Sequence, residues 1–294
     1  MQPTLSIVIP THNRIEQLCS LVDRFREMKS ELDAINKVEL VIVDDGSTER
    51  FFKETFEDVI LLRNATCLGA PASREIGFQH SSGSYVHFHD SDDDISDNWL
   101  EGILNNITTT QFDFLFTPRV ARTANDVIGK LEEPKALQSL LSLPLSLKNY
   151  LSYENCVGPL GAVTFSRRAV AKMSFPSLAS CQDWHMYWEA LQNDSVLVYE
   201  PRIWLVYNRT GLNRISSSTD RKRAGFDGAT KLMCKTERKR ILVNFFLNLD
   251  FDVKRNLNRT PLKRLIHAVL RPVILELARA PTLDKLLFGR NSSL

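Results

Sequence analysis

The chain has 294 residues, of which 43% are hydrophobic and 24% charged, so it can build a large core and is not disordered over most of its length. Its net charge of +2 hides a division: residues 1–220 carry 20 basic and 29 acidic side chains, whereas residues 221–294 carry 17 and 6. An acidic body with a basic tail points to two tasks, the second at an anionic surface.

Leu5-Ser6-Ile7-Val8-Ile9 reads as a strand stopped by Pro10. Residues 14–29 read as a helix with Leu18, Leu21, Val22 and Phe25 on one face. Val38–Val43 is a second strand, halted by Asp44-Asp45-Gly46-Ser47, and Val59–Leu62 is a third. Pro71 opens a helix to about Gln79, where proline suits the first turn. Tyr85–His89 is a fourth strand ending in an acidic cluster, followed by a helix over 97–107 and a strand over 112–116. Strand–helix alternation with nearly continuous apolar strands predicts a mostly parallel sheet covered on both faces. Beyond 118 the pattern weakens. Pro134–Tyr150 reads as helix or loop, Ala162–Phe165 as a strand, Arg167–Met173 as a short helix and Gln182–Gln192 as a helix. Val196–Tyr199 and Ile203–Tyr207 read as strands, and a soft boundary falls near 220.

No apolar run approaches the roughly 18–20 residues of a membrane span. The N-terminus has no basic region followed by an apolar core, so no secretory leader is expected. Cys19, Cys67, Cys156, Cys181 and Cys234 are scattered, without Cys-x-x-Cys spacing, which speaks against zinc and a disulfide framework and for a reducing cytoplasm.

Three polar clusters each follow a strand: Pro10–Arg14, Asp44–Ser47 and Asp90–Asp94. A parallel sheet brings all three to one edge, where such sheets bind ligands. Turn-forming and helix-capping roles account for any one of them. Four Asp residues within positions 90–94 need more, because carboxylates so close repel and call for a cation. Carboxylate oxygens suit Mg²⁺ or Mn²⁺, and few protein ligands suffice where a diphosphate completes the shell. An EF-hand would need a Gly at the sixth position and a Glu at the twelfth, and has neither.

These pieces resemble glycosyltransferase family 2, inverting enzymes with a GT-A fold. The matching segments are Ser6–Arg14, Val41–Ser47, Gly69 with Ala72–Gly77, and Gly83–Asp93, and the resemblance runs over roughly residues 4–210. It implies an α/β catalytic domain over 1–220 with a mostly parallel sheet. Residues 1–117 would be a Rossmann-like nucleotide-sugar half and 118–220 an acceptor half, followed by a basic helical extension over 221–294. It implies that Pro10, Thr11, His12 and Arg14 border the nucleoside. Asp45, beside Asp44, would read a uracil edge, and Arg74 would sit near base and diphosphate. Asp90-Ser91-Asp92 matches the family's Asp-x-Asp element, with Asp92 on a divalent cation (Mn²⁺ or Mg²⁺) and Asp90 on ribose or metal. Gln182-Asp183 stands where family members carry Glu-Asp, so Asp183 matches the general base, while Gln182 replaces the usual acid. Gly161 is a candidate for the acceptor cleft, and Arg209 or Arg214 for the lid position where relatives often have His. The implied activity is transfer of a hexosyl or N-acetylhexosaminyl group from a nucleotide sugar, with UDP favoured. The acceptor would be a glycan or lipid-linked sugar, in bacterial surface polysaccharide synthesis.

Leu262, Leu265, Ile266, Val269, Leu270, Val273, Ile274 and Leu277 repeat at offsets of three and four, an amphipathic stripe expected to kink or break near Pro272. It either packs as core or lies on an anionic membrane, which would make the enzyme peripheral on the inner face of the cell membrane. Nucleic acid is not expected, because aromatics are not interleaved with the basic residues. Two rival functions stay open, a sugar-nucleotide pyrophosphorylase and a silent nucleotide-sugar-binding module. The first would want a Gly-rich loop after the first strand, and Pro10–Arg14 has no Gly.

Overall fold

The computed structural model of the protein describes residues 4–34, 37–49, 56–122, 129–133, 144–208, 218–255, 257 and 260–288. The chain divides into two compact units. The first gathers Met1–Lys135, Pro159–Ser177 and Ser195–Leu212, and the second Ala136–Gly158, Leu178–Asp194 and Asn213–Leu294.

The first unit is built on β1 (Leu5–Thr11), β2 (Val38–Asp44), β3 (Ile60–Arg63) and β4 (Tyr85–Phe88), in spatial order β3-β2-β1-β4 and all parallel. Two helices make the crossovers, α1 (Ile15–Glu31) between β1 and β2 and α2 (Ala70–Gln79) between β3 and β4. β1 and β2 are mainly apolar on both faces and buried except for the half-buried Glu39, which accepts from Ser6, as a sheet covered by helices requires. Leu18, Leu21, Val22 and Phe25 of α1 pack in the core with Ile7, Ile9, Leu40 and Ile42. Beyond β4 the direction changes. β8 (Val163–Ser166) pairs antiparallel with β4 and with β6 (Phe114–Phe116), and β9 (Leu197–Tyr199) continues parallel to β6. The central sheet is therefore mostly parallel, with helices on its faces. A second small sheet joins β5 (Asp94–Ile95), β10 (Leu205–Asn208) and β7 (Arg119–Arg122).

Element ends differ from the sequence expectation where tertiary bonds intervene. The third helix, α3 (Trp99–Thr109), begins two residues after the expected 97, because Asn98 turns outward and donates to the Arg202 carbonyl. The last strand of this unit begins at Leu205 rather than Ile203, because Trp204 is held by Ser96 through two hydrogen bonds. The helix after β8 is only Arg167–Val170, capped by the Ser166 hydroxyl. Of the Pro134–Tyr150 expectation, Pro144–Leu151 is a helix, α4, and 134–143 lie outside the described residues.

The second unit is helical among its described residues. With Arg167–Val170 counted as α5, it holds α4, α6 (Gln182–Ala190), α7 (Thr219–Met233), α8 (Glu237–Lys254), α9 (Pro261–Arg279) and α10 (Pro281–Phe288). α7, α8 and α9 start at Ser218, Thr236 and Thr260, whose hydroxyls accept from the third residue on. α9 runs unbroken through Pro272, correcting the expected break. Pro272 lies on the exposed side, where water can serve the carbonyl its missing N–H leaves free. All five cysteines are free thiols. Among the described residues no helix is long and apolar enough to cross a membrane.

Candidate active site

The strand register decides which polar residues meet. Thr11 at the end of β1 pairs with Asp44 at the end of β2, and Val8 of β1 with Phe88 of β4. The segments following these three strands therefore emerge together at the carboxyl edge, where strand order reverses about β1.

After β2 the chain must turn sharply. Gly46 does so at φ +71, and a Cβ there would meet the backbone of Thr66 at 2.8 Å, so only glycine fits. The turn is tied to the segment after β1. His12 Nδ1 lies 2.9 Å from the Asp45 carbonyl, the Asn13 N–H donates to Ser47 Oγ at 2.8 Å, and the Thr48 N–H donates to Asn13 Oδ1 at 2.8 Å. Asn13, Arg14, Ile15, Ser47, Thr48 and Glu49 line a cleft beside them.

The two acids ending β2 have separate surroundings. Asp44 is buried and accepts from Arg63 and, at 3.0 Å, from the Ser47 N–H. Asp45 is also buried. The N–H groups of Leu68 and Gly69 and the side chain of Asn64 each donate to it at 2.8 Å, and Cys67 Sγ lies at 3.2 Å. Burial opposes its charge, but the donors, led by the Leu68 N–H and Asn64, outweigh this and hold the carboxyl below the ordinary range. As described, Asp45 organises the 64–69 loop with both oxygens.

The acidic run after β4 is neutralised by guanidinium groups. Arg74 binds Asp90, Arg14 binds Asp92 at 2.9 Å, and Arg24 and Arg122 bind Asp94 at 3.1 and 3.2 Å. Asp93 accepts from the Asn208 N–H at 3.0 Å, and the Asn208 side chain donates to the Asp92 carbonyl. The repulsion expected among these acids is thus met by protein cations. Burial opposes the charge on Asp90, and Arg74 prevails, keeping its carboxyl ionised below the usual range. Ser91 is buried between the two acids.

Arg74 donates to Oδ1 of Asp90, and Arg14 lies against Oδ1 of Asp92. Two hard oxygen donors suit Mg²⁺ or Mn²⁺. Among the described residues no group of three His, Cys, Asp or Glu could hold a metal. A cation on Asp90 and Asp92 would therefore draw its other ligands from a donor's phosphates and water. Thr11 Oγ1 and Arg74 Nε are among the buried polar atoms of this unit that make no hydrogen bond among the described residues.

Gly161 lies in a short turn, buried, and a Cβ there would meet Leu205 at 3.1 Å, which is a packing constraint. In the second unit, Asp183 stands in the first turn of α6 and accepts from the Trp184 N–H at 2.8 Å, a position the helix dipole favours for a carboxylate. Gln182 donates to the Leu178 carbonyl at 2.7 Å, and the Trp184 indole donates to the Leu151 carbonyl at 2.5 Å, locking the start of the helix. Arg209 and Arg214 lie outside the described residues. Sequence reading missed Arg63, Asn64 and Asn208. No local pattern marks them, because each acts on an acid from another element.

The profile of Glycosyl transferase family 2 matches residues 6–172, more than half of the chain. An uncharacterised glycosyltransferase of Haemophilus influenzae is 27% identical over 221 residues, 74% of this chain and 71% of its own length. A second from the same organism is 32% identical over 110 residues, and this chain spans only 42% of its length. The UDP-Glc:alpha-D-GlcNAc-diphosphoundecaprenol beta-1,3-glucosyltransferase WfgD of Escherichia coli is 23% identical over 197 residues, 65% of this chain and 71% of its own. The crystal structure of S. aureus TarS 1–349 in complex with UDP-GlcNAc superposes with a TM-score of 0.62 at 15% identity, covering 96% of this chain and 83% of that one. A sheet whose strand ends gather these motifs, the fold shared with TarS and a profile covering most of the first unit agree: the chain belongs to glycosyltransferase family 2 and has the GT-A fold.

Proposed function

We propose that the protein is an inverting transferase that moves a sugar from a UDP-sugar to a hydroxyl of a glycan or lipid-linked sugar, in bacterial surface polysaccharide synthesis. The observation that carries this reading is the pairing of Arg14 with Asp92 and of Arg74 with Asp90 at the carboxyl edge of the sheet. Two acids and two guanidiniums there supply what a nucleoside diphosphate and its cation need. WfgD is named for a UDP-sugar donor and a lipid-diphosphate acceptor, and the TarS structure holds UDP-GlcNAc, which supports UDP and a lipid-linked acceptor.

Pro10, Thr11 and His12 border the nucleoside in this reading, with Asp44 and Asp45 at the base. Arg14 and Arg74 turn from their acids to the diphosphate as it enters, leaving Asp90 and Asp92 to hold Mn²⁺ or Mg²⁺. Such a cation, when bound, stabilises charge on the departing diphosphate. Asp183 takes the acceptor proton as that oxygen attacks the anomeric carbon, and one displacement inverts configuration. Gln182 orients the acceptor, and Arg209 or Arg214 covers the donor. The catalytic domain is residues 1–220, and the enzyme acts in the cytoplasm. The test is turnover of UDP-sugars with Mn²⁺ and Mg²⁺: Asp92→Ala should abolish metal-dependent turnover, and retention of full rate overturns the reading.

A further inference from the structure

The first part of helix α9 turns polar side chains toward α8: Lys263 donates to Asp252 at 3.0 Å, and His267 and Arg271 reach Asp250 at 2.9 and 2.6 Å. Both acids are buried residues of α8. Ile274, Leu277 and Ala278 are buried, and the Asn149 side chain donates to the carbonyls of Leu277 and Ala278. The protein thus uses only one margin of the apolar stripe. Leu262, Leu265, Val269 and Val273, at offsets of three and four, remain 63%, 62%, 64% and 52% exposed.

The next helix also turns a polar side chain inward. Its acid, Asp284, turns inward to the Tyr153 hydroxyl and to Lys239 at 2.8 Å, while Leu286 and Leu287 are 71% and 55% exposed. Single exposed leucines are ordinary, but an aligned row on two consecutive helices calls for a covering surface.

We propose that the outward face of Pro261–Arg279 and Pro281–Phe288 lies on an anionic lipid membrane, with the aliphatic row at the acyl boundary. Charge decides against a second copy of this chain as the cover. Among the exposed charged residues of the two helices, Arg264, Arg279 and Lys285 stand against one acid, Glu276, so two such faces brought together repel, whereas anionic headgroups attract them. Arg264 and Lys285, both exposed, stand on the same two helices. Apolar burial plus cation attraction is the binding mode of interfacial helices. The inference goes beyond sugar transfer and rests on the second unit alone, so either can fail without the other.

The full chain is sedimented with phosphatidylcholine vesicles, with and without phosphatidylglycerol, at low and raised salt. The parent should pellet only with phosphatidylglycerol at low salt and be released by salt. The double variant Leu265→Gln, Val269→Gln keeps every inward ion pair, and its partition should fall by at least about tenfold, with an unchanged melting temperature showing that it folds. Absence of pelleting at low salt, full retention by the variant, or a stable dimer in solution that the variant dissolves each overturns the proposal.

Discussion

Arg14, just past the end of β1, reaches Asp92, just past the end of β4, with Nη1 2.9 Å from Oδ1. The side chains are 36% and 28% exposed, so the pair is open to solvent and to an incoming ligand. A guanidinium on the acid expected to hold a cation is a competitor for that cation. Arg14→Ala should therefore tighten Mn²⁺ binding, by ~2–5-fold on the scale of exposed ion pairs, while weakening UDP-sugar binding. Calorimetric titration of Mn²⁺ and of UDP against both proteins checks the two signs, and weaker Mn²⁺ binding in the variant would show that Arg14 does not compete.

Asp45 holds the 64–69 loop through two backbone N–H groups and Asn64. Asp45→Ala leaves these donors without their acceptor, which for the buried Asn64 side chain is a loss of about 1–3 kcal/mol. Urea unfolding should report that loss, and UDP titration a weaker affinity. Unchanged unfolding would mean the loop is fixed by other contacts.

Asp183→Asn keeps the shape of the first turn of α6 but removes the proposed base. The transfer rate should fall by ~10²–10⁴-fold, the usual contribution of general-base catalysis, with UDP-sugar affinity nearly intact. Single-turnover transfer and donor binding, measured side by side, separate loss of chemistry from loss of structure. Full activity would remove Asp183 from the mechanism.

His87 and His89 are fully buried beside Trp99 and Phe25, and His185 is buried in the second unit. Burial pushes all three below the ordinary value of 6.5, His87 well below it. The unfolded chain then binds more protons than the folded one, so stability rises with pH. Their contribution is complete above 6.5 and drains away as pH falls below it. Urea midpoints should drop between about pH 7.5 and about pH 5, ahead of carboxylate titration. A flat profile over that window would show that these rings titrate alike in the folded and the unfolded chain.

The alternation of apolar runs with amphipathic stretches made the β1–α1–β2 and β3–α2–β4 portions legible, because period and turn residues are local signals. The motifs at Pro10, Asp44 and Asp90 were legible for the same reason, since each punctuates a strand. Boundaries slipped at Trp99 and Leu205, where Asn98 and Ser96 bond to residues roughly a hundred positions away.

Local order along the chain determined the strands, the helices, the family and the candidate acids. Tertiary structure alone decided that Arg14, Arg24, Arg74 and Arg122 neutralise the acidic run, that Asp45 is bound up in its own loop, and that the stripe of Pro261–Arg279 points outward. Periodicity shows that a helix has an apolar side, but only its partners settle where that side faces. Here the buried Asp250 and Asp252 draw in Lys263, His267 and Arg271, and the leucines are turned toward solvent.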